Sequence, residues 1–267
     1  METTSRDISV RGADGFEMPA AVSAPVTQDA KFPGIIVIHE AYGLNNQIRG
    51  VARRYAEQGF VALAPNLFSR FGDVMSEKNI ESAMRPLWTI PPEKRRDPKT
   101  IQDLMKTMSE TDRKVMEIFY TGREELEKKL LGDLIKCTEA LRSQPNVNPD
   151  KLGVTGFCFG GGMAYQISTI RPFGATVVFY GANPKPIESI ANISGPVLAF
   201  YAGEDEGVNQ SIPQLVEAMI RYKKDFQLKI YKGMNHAFFN ETRPVYNKEA
   251  SDDSWQTALS FFRKNLS

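Results

Sequence analysis

Gly34-Ile35-Ile36-Val37-Ile38 is an unbroken apolar run with no polar alternation, bounded by turn residues on both sides. A strand with one face in water alternates; a strand that reads apolar at every position is buried on both faces, as in a parallel sheet covered by helices. The run constrains everything that follows it. Residues 48–58 place Ile48, Val51, Ala52, Tyr55 and Ala56 on one helical face, with Gly59 at the C-terminal end, and 60–64 form a second short buried strand closed by Pro65. The same alternation returns in the second half: strands at 152–156, 175–180, 197–202 and 226–231, helices at 160–170, 212–222 and 246–262. Ahead of the first buried run, 8–11 and 16–24 read as two strands about an Asp14-Gly15 turn. Strands alternating with helices imply right-handed crossovers. The expected fold is α/β, a mostly parallel eight-stranded sheet with helices on both faces.

The interval 67–132 breaks this rhythm, being long, charged and interrupted by Pro86, Pro91-Pro92 and Pro98. A structureless loop of that length is improbable in a compact domain. Helical segments, 101–108 and 113–142 among them, are expected to form a cap or side layer on a single domain spanning 1–267. The chain has 33 Lys and Arg against 32 Asp and Glu, a net charge of +1, which gives a nucleic-acid partner no electrostatic footing. Two cysteines and two histidines make neither a zinc ribbon nor a disulfide framework, and no metal or other cofactor is expected. No apolar run reaches membrane-spanning length, and the first ten residues lack a signal-peptide core, so a cytoplasmic enzyme without a membrane partner is expected.

Chemistry concentrates in Gly156-Phe157-Cys158-Phe159-Gly160, a G-x-C-x-G between a buried strand and a helix. This is the nucleophile-elbow pattern with cysteine in place of serine. Such a turn is so sharp that side chains at Gly156 or Gly160 would collide with neighbouring elements. It sets the thiol at the head of a helix, where unpaired N–H groups favour a thiolate. A phosphate-holding glycine turn with Cys158 as a small core residue is the competing interpretation, but GxxxxGK[ST] and GxGxxG are both absent. The nucleophile needs a base. His236 follows the last strand, as the nucleophile–acid–histidine order requires, whereas His39 precedes the nucleophile and can at most line the pocket. The orienting acid is expected after strand 197–202, where Glu204, Asp205 and Glu206 compete and Asp205 is favoured by position. Cys137 falls in a helical pattern and reads as a core thiol.

These residues, together with Ile38-His39-Glu40-Ala41-Tyr42-Gly43-Leu44-Asn45, Val61-Ala62-Leu63-Ala64-Pro65-Asn66-Leu67 and Asn235-His236-Ala237-Phe238, resemble the dienelactone hydrolase family of the α/β-hydrolase fold over nearly the whole chain. The resemblance implies a cofactor-free hydrolase that opens a small lactone or ester through a Cys158, Asp205, His236 triad and a thioester acyl-enzyme. It implies that Glu40 contacts the resting thiol and that the backbone N–H groups of Phe159 and Ala41 form an oxyanion hole. The archetype grips a substrate carboxylate with two arginines. Here Asn240 occupies one position with Arg243 nearest to it, and Arg85, Arg95 and Arg96 compete for the other; Tyr42 is a further pocket candidate. A broad carboxylesterase or thioesterase on the same triad, and a catalytically silent scaffold that only binds, are the alternatives. The partner is a small ester or lactone, and the chain is expected as a monomer or homodimer.

Overall fold

A computed structural model describes residues 1–26, 29–91, 94–95 and 97–267. The first two strands, β1 (Thr3–Arg11) and β2 (Glu17–Pro25), pair antiparallel with Ile8 opposite Ala20, and Gly15 takes a positive φ of 86° in the turn between them. β3 (Phe32–Ile38) and β4 (Val61–Pro65) are parallel and joined by α1 (Asn46–Glu57). Asn45 caps α1 by accepting a hydrogen bond from the Ile48 N–H at 3.3 Å, which satisfies one of the helix's orphan donors. β5 (Val147–Phe157), β6 (Ala175–Phe179), β7 (Val197–Ala202) and β8 (Phe226–Tyr231) complete an eight-stranded sheet in the order β1-β2-β4-β3-β5-β6-β7-β8. Only the β1–β2 and β2–β4 pairings are antiparallel.

Side chains of a strand alternate between faces, and here the alternation feeds two cores. Ile36, Ile38, Leu63, Val154, Val178 and Ala199 enter one. Ile35, Val37, Ala62, Ala64, Leu198 and Phe200 enter the other, against α1 and α9 (Lys248–Leu266). In that second layer Tyr55 packs against Trp255 and Phe262 at centroid distances of 4.5 and 5.7 Å. Apolar runs without alternation are therefore the signature of a sheet sandwiched between helices, as expected.

Between β4 and β5 the chain forms a 3-10 segment (Leu67–Met75), α2 (Glu77–Met84), a second 3-10 segment (Arg85–Thr89), α3 (Pro98–Met105), α4 (Glu110–Met116) and α5 (Arg123–Arg142). Their buried residues Phe68, Ile80, Ile101, Val115, Phe119 and Leu130 join the same cluster as the sheet's Ile36 and Val154. α3 starts earlier than expected because the Asp97 carboxylate accepts from the Thr100 N–H at 2.7 Å and Pro98 needs no acceptor of its own. The single helix expected over 113–142 is corrected. A π turn, Glu117–Thr121, interrupts it, and the Gly122 N–H reaches back five residues to the Glu117 carbonyl at 2.7 Å. Phe119 within the turn and Leu126 and Leu130 after it are all buried. Among the described residues no helix is long and apolar enough to cross a membrane.

Candidate active site

The carboxyl ends of five strands converge on one point, the usual ligand position of an open parallel sheet. At the end of β5, Cys158 holds φ 55° and ψ −116°, a conformation that only strong surroundings maintain in a non-glycine residue. Those surroundings are its own N–H, which donates to the Phe179 carbonyl at 3.0 Å, and its carbonyl, which accepts from Gly161 and Gly162 at 3.0 and 3.2 Å. α6 (Phe159–Ser168) starts there. A Cβ on Gly160 would fall 2.4 Å from the carbonyl oxygens of both Ile38 and His39. The glycine thus lets the elbow press against the end of β3, just ahead of Glu40 and Ala41.

Asp205 lies after β7, at the start of the short α7 (Glu206–Asn209), and His236 lies in the loop after β8. The Glu204 N–H donates to the Met234 carbonyl at 2.9 Å and ties these two loops together, while the Asn209 amide donates to the carbonyls of Ala202 and Gly203 at 2.8 and 3.1 Å. The result is a direct hydrogen bond between His236 Nδ1 and Asp205 Oδ2. Glu204 and Glu206 are exposed, and of the three carboxylates it is Asp205 that bonds the imidazole. The Cys158 sulfur also acts on this imidazole. Desolvation opposes an imidazolium there, but the Cys158 sulfur and Asp205 outweigh it and hold the His236 pKa well above the ordinary value. Cys137 is fully buried, and burial pushes its thiol pKa far up.

The N–H of Phe159, first residue of α6, and the N–H of Ala41 donate to no acceptor among the described residues. The Phe159 ring packs against Phe68 at 5.5 Å and Phe119 at 6.4 Å, so the inserted helices brace the residue next to the thiol. His39 is fully buried; its Nδ1–H donates to the Glu40 carbonyl at 2.7 Å and its Nε2 accepts from the Leu67 N–H at 3.2 Å. It straps β3 to the inserted segment, and burial lowers its pKa to about 4.

Glu40 hydrogen-bonds with the Tyr180 hydroxyl, at 3.1 Å, and with the Asn240 amide, at 2.5 Å. Burial raises the Glu40 pKa, and these two donors and the charges of His236 and Arg243 act against that rise. Asn240, expected to face substrate, is itself buried, because its amide N–H is taken by Glu40 and its oxygen by the Thr242 N–H and hydroxyl. Arg243 stands nearer the opening: it pairs with Glu81 of α2 at 3.0 Å, and its guanidinium carbon lies 3.8 Å over the Tyr42 ring. Arg85 caps α2 and is exposed, without a bond to this wall among the described residues, and Arg95 donates to the Ile90 carbonyl at 2.8 Å. Arg96 lies outside the described residues.

Sequence reasoning missed Tyr180 and Glu81. Tyr180 carried a signal, since it directly follows β6 and precedes Gly181, at the sheet edge where ligands bind. It adopts a positive φ of 41°, and Ala237 beside His236 one of 68°, so backbone strain gathers around the thiol. No group of three or more His, Cys, Asp or Glu among the described residues is arranged to hold a metal ion.

Residues 18–266 match the model of the dienelactone hydrolase family. Over 252 residues, 94% of this chain and 96% of the relative, the sequence is 44% identical to a Saccharolobus solfataricus protein provisionally named carboxymethylenebutenolidase. A Synechocystis protein of the same provisional name is 28% identical over 88% of this chain and 87% of its own. Among solved structures, a provisionally titled dienelactone hydrolase of Klebsiella pneumoniae superposes with a TM-score of 0.75 at 24% identity, covering 99% of this chain and all of that one. A dienelactone hydrolase-like promiscuous phosphotriesterase from metagenomic libraries gives 0.76 at 21% identity over the full length of both. At those identities the structural likeness is one of fold, and the fold is that of the α/β-hydrolases.

Proposed function

Since the chain belongs to the dienelactone hydrolase family, we propose that it hydrolyses a small lactone or ester through a thioester on Cys158, with His236 as base and Asp205 orienting it. The observation that carries this reading is the line from Asp205 through His236 to the sulfur at the strained elbow. His236 takes the thiol proton, and Asp205 fixes the tautomer and stabilises the imidazolium. The thiolate adds to the carbonyl, and the N–H groups of Phe159 and Ala41 receive the developing oxyanion. The imidazolium then protonates the leaving oxygen, and water, deprotonated by the same imidazole, releases the acid.

A thiolate is itself a good leaving group, so its adduct collapses forward only when the other side leaves easily. An enol ester meets that demand by expelling a stabilised enolate, which favours activated esters and unsaturated lactones over amides. The butenolide in the relatives' provisional name is a substrate of that kind. Turnover should be measured across aryl esters, thioesters and unsaturated lactones, with Cys158→Ala as the blank. Hydrolysis that needs Cys158 and favours unsaturated lactones is expected; undiminished turnover in Cys158→Ala overturns the covalent route.

A further inference from the structure

His39 is a fully buried titratable group that no step of the proposed reaction uses. The Leu67 N–H, which can only donate, meets Nε2 at 3.2 Å, so Nε2 carries the lone pair and the ring proton sits on Nδ1. Burial, which lowers the pKa to about 4, keeps the ring neutral in that tautomer. Nδ1–H donates to the Glu40 carbonyl at 2.7 Å, and the N–H of Gly43, a residue at φ 78°, donates to the same oxygen at 3.3 Å. That carbonyl and the Ala41 N–H are the two ends of one planar trans peptide, in which C=O and N–H point in opposite directions. Whatever holds the oxygen therefore aims the hydrogen. The Ala41 N–H has no acceptor among the described residues, and its segment directly follows the end of β3 against which Gly160 packs.

We propose that His39 is a positioning residue for the oxyanion hole: by gripping the Glu40 carbonyl it turns the Ala41 N–H to face the carbonyl oxygen of the bound ester. The inserted segment takes part, because its first residue, Leu67, selects the tautomer on which the grip depends. With the proton on Nε2 instead, two donors would meet at Leu67 and two lone pairs at the Glu40 oxygen. The ring is further held edge-on by Phe68, at a centroid distance of 4.7 Å. His39 exchanges no proton, so its role is orientation alone. The inference rests on the acyl-enzyme reading of Cys158.

The test compares two reactions of one thiol at neutral pH in the full chain. p-Nitrophenyl acetate acylates Cys158 through a tetrahedral oxyanion and releases p-nitrophenolate. Iodoacetamide alkylates it by displacing iodide from a saturated carbon, and no oxyanion forms. The ratio of the two rates thus reads the hole and cancels changes in the reactivity of the sulfur. Three variants separate the two bonds of the ring. His39→Asn places an amide nitrogen on Cγ, as Nδ1 is, and keeps a donor for Glu40; His39→Gln carries its amide to the Nε2 position and keeps an acceptor for Leu67; His39→Phe keeps neither. The ratio should fall at least about tenfold in His39→Phe and His39→Gln, short of the roughly 10²–10³ of a donor removed outright, and stay within about threefold of the parent in His39→Asn. All three variants lose a buried hydrogen bond, so a merely structural role would lower the unfolding temperature and leave the ratio in place. An unmoved ratio in His39→Phe and His39→Gln, or a fall in His39→Asn as large as theirs, overturns the inference. Acylation that persists in Cys158→Ala removes the acyl-enzyme reading itself, whereas an unmoved ratio with acylation still dependent on Cys158 removes only the role of His39.

Discussion

A Cβ added to Gly156 would lie 1.9 Å from the carbonyl oxygen of Gly160, so the two glycines that flank Cys158 exist in contact with one another. The sharpness of the turn, and with it the exposure of the thiol, depends on that contact. Gly156→Ala should cost about 3 kcal/mol or more, because the obstacle is backbone and cannot rotate away. Gly162→Ala is the control: its Cβ would meet the Ala182 carbonyl at an ordinary 3.4 Å, and a change within about 1 kcal/mol is expected. Urea unfolding midpoints of the two variants decide the matter, and equal losses would mean that the elbow relaxes more easily than its geometry implies.

Replacement of Asp205 by Asn should lower kcat by as much as the order of 10⁴, since only the residue bonded to His236 Nδ1 sets its tautomer. Glu204→Gln and Glu206→Gln, both at exposed positions, should stay near the parent rate. Steady-state kinetics on one activated ester compares all three. A crippled Glu204 or Glu206 variant would place the orienting acid elsewhere.

The pH dependence of stability should carry the mark of His39. Its pKa is lowered by burial from 6.5 to about 4 in the folded protein, so the unfolded chain binds the proton more tightly. Its contribution is thus intact above pH 6.5 and lost as the pH falls toward 4, up to about 3 kcal/mol in all. His39→Gln removes that titration. The measurement is unfolding free energy against pH for the parent and the variant; parallel curves across this window would contradict the assignment of a neutral, strapped imidazole.

Substrate charge should matter little. Arg243 is already paired with Glu81 and stacked on Tyr42, and Asn240 is spent on Glu40, so these two described residues offer an incoming carboxylate only the guanidinium Nε–H that has no partner. For a lactone bearing a free carboxylate and its methyl ester, kcat/KM should agree within about tenfold, or 1.4 kcal/mol. A preference of several hundredfold for the acid, abolished by Arg243→Ala, would show that the Glu81 pair opens to admit it.

Local pattern alone determined most of the framework and the order of the reacting groups. The unbroken run at 34–38 announced a doubly covered strand because burial on two faces leaves no position for a polar residue. G-x-C-x-G announced the elbow because its sterics act between residues a few positions apart. Single-helix continuity over 113–142 did not survive, since a π turn costs little locally and is selected by whether Phe119 finds Phe68 and Phe159. What only the tertiary structure decided are relations across long sequence distances. Asp205 was separated from Glu204 and Glu206 by the strap between Glu204 and Met234, which turns one carboxylate inward and leaves two in water. Glu40 meets Asn240 across 200 residues and Tyr180 across 140. No periodicity encodes such pairs, because they arise where five strands end side by side, and a buried carboxylate takes whichever donors that convergence supplies.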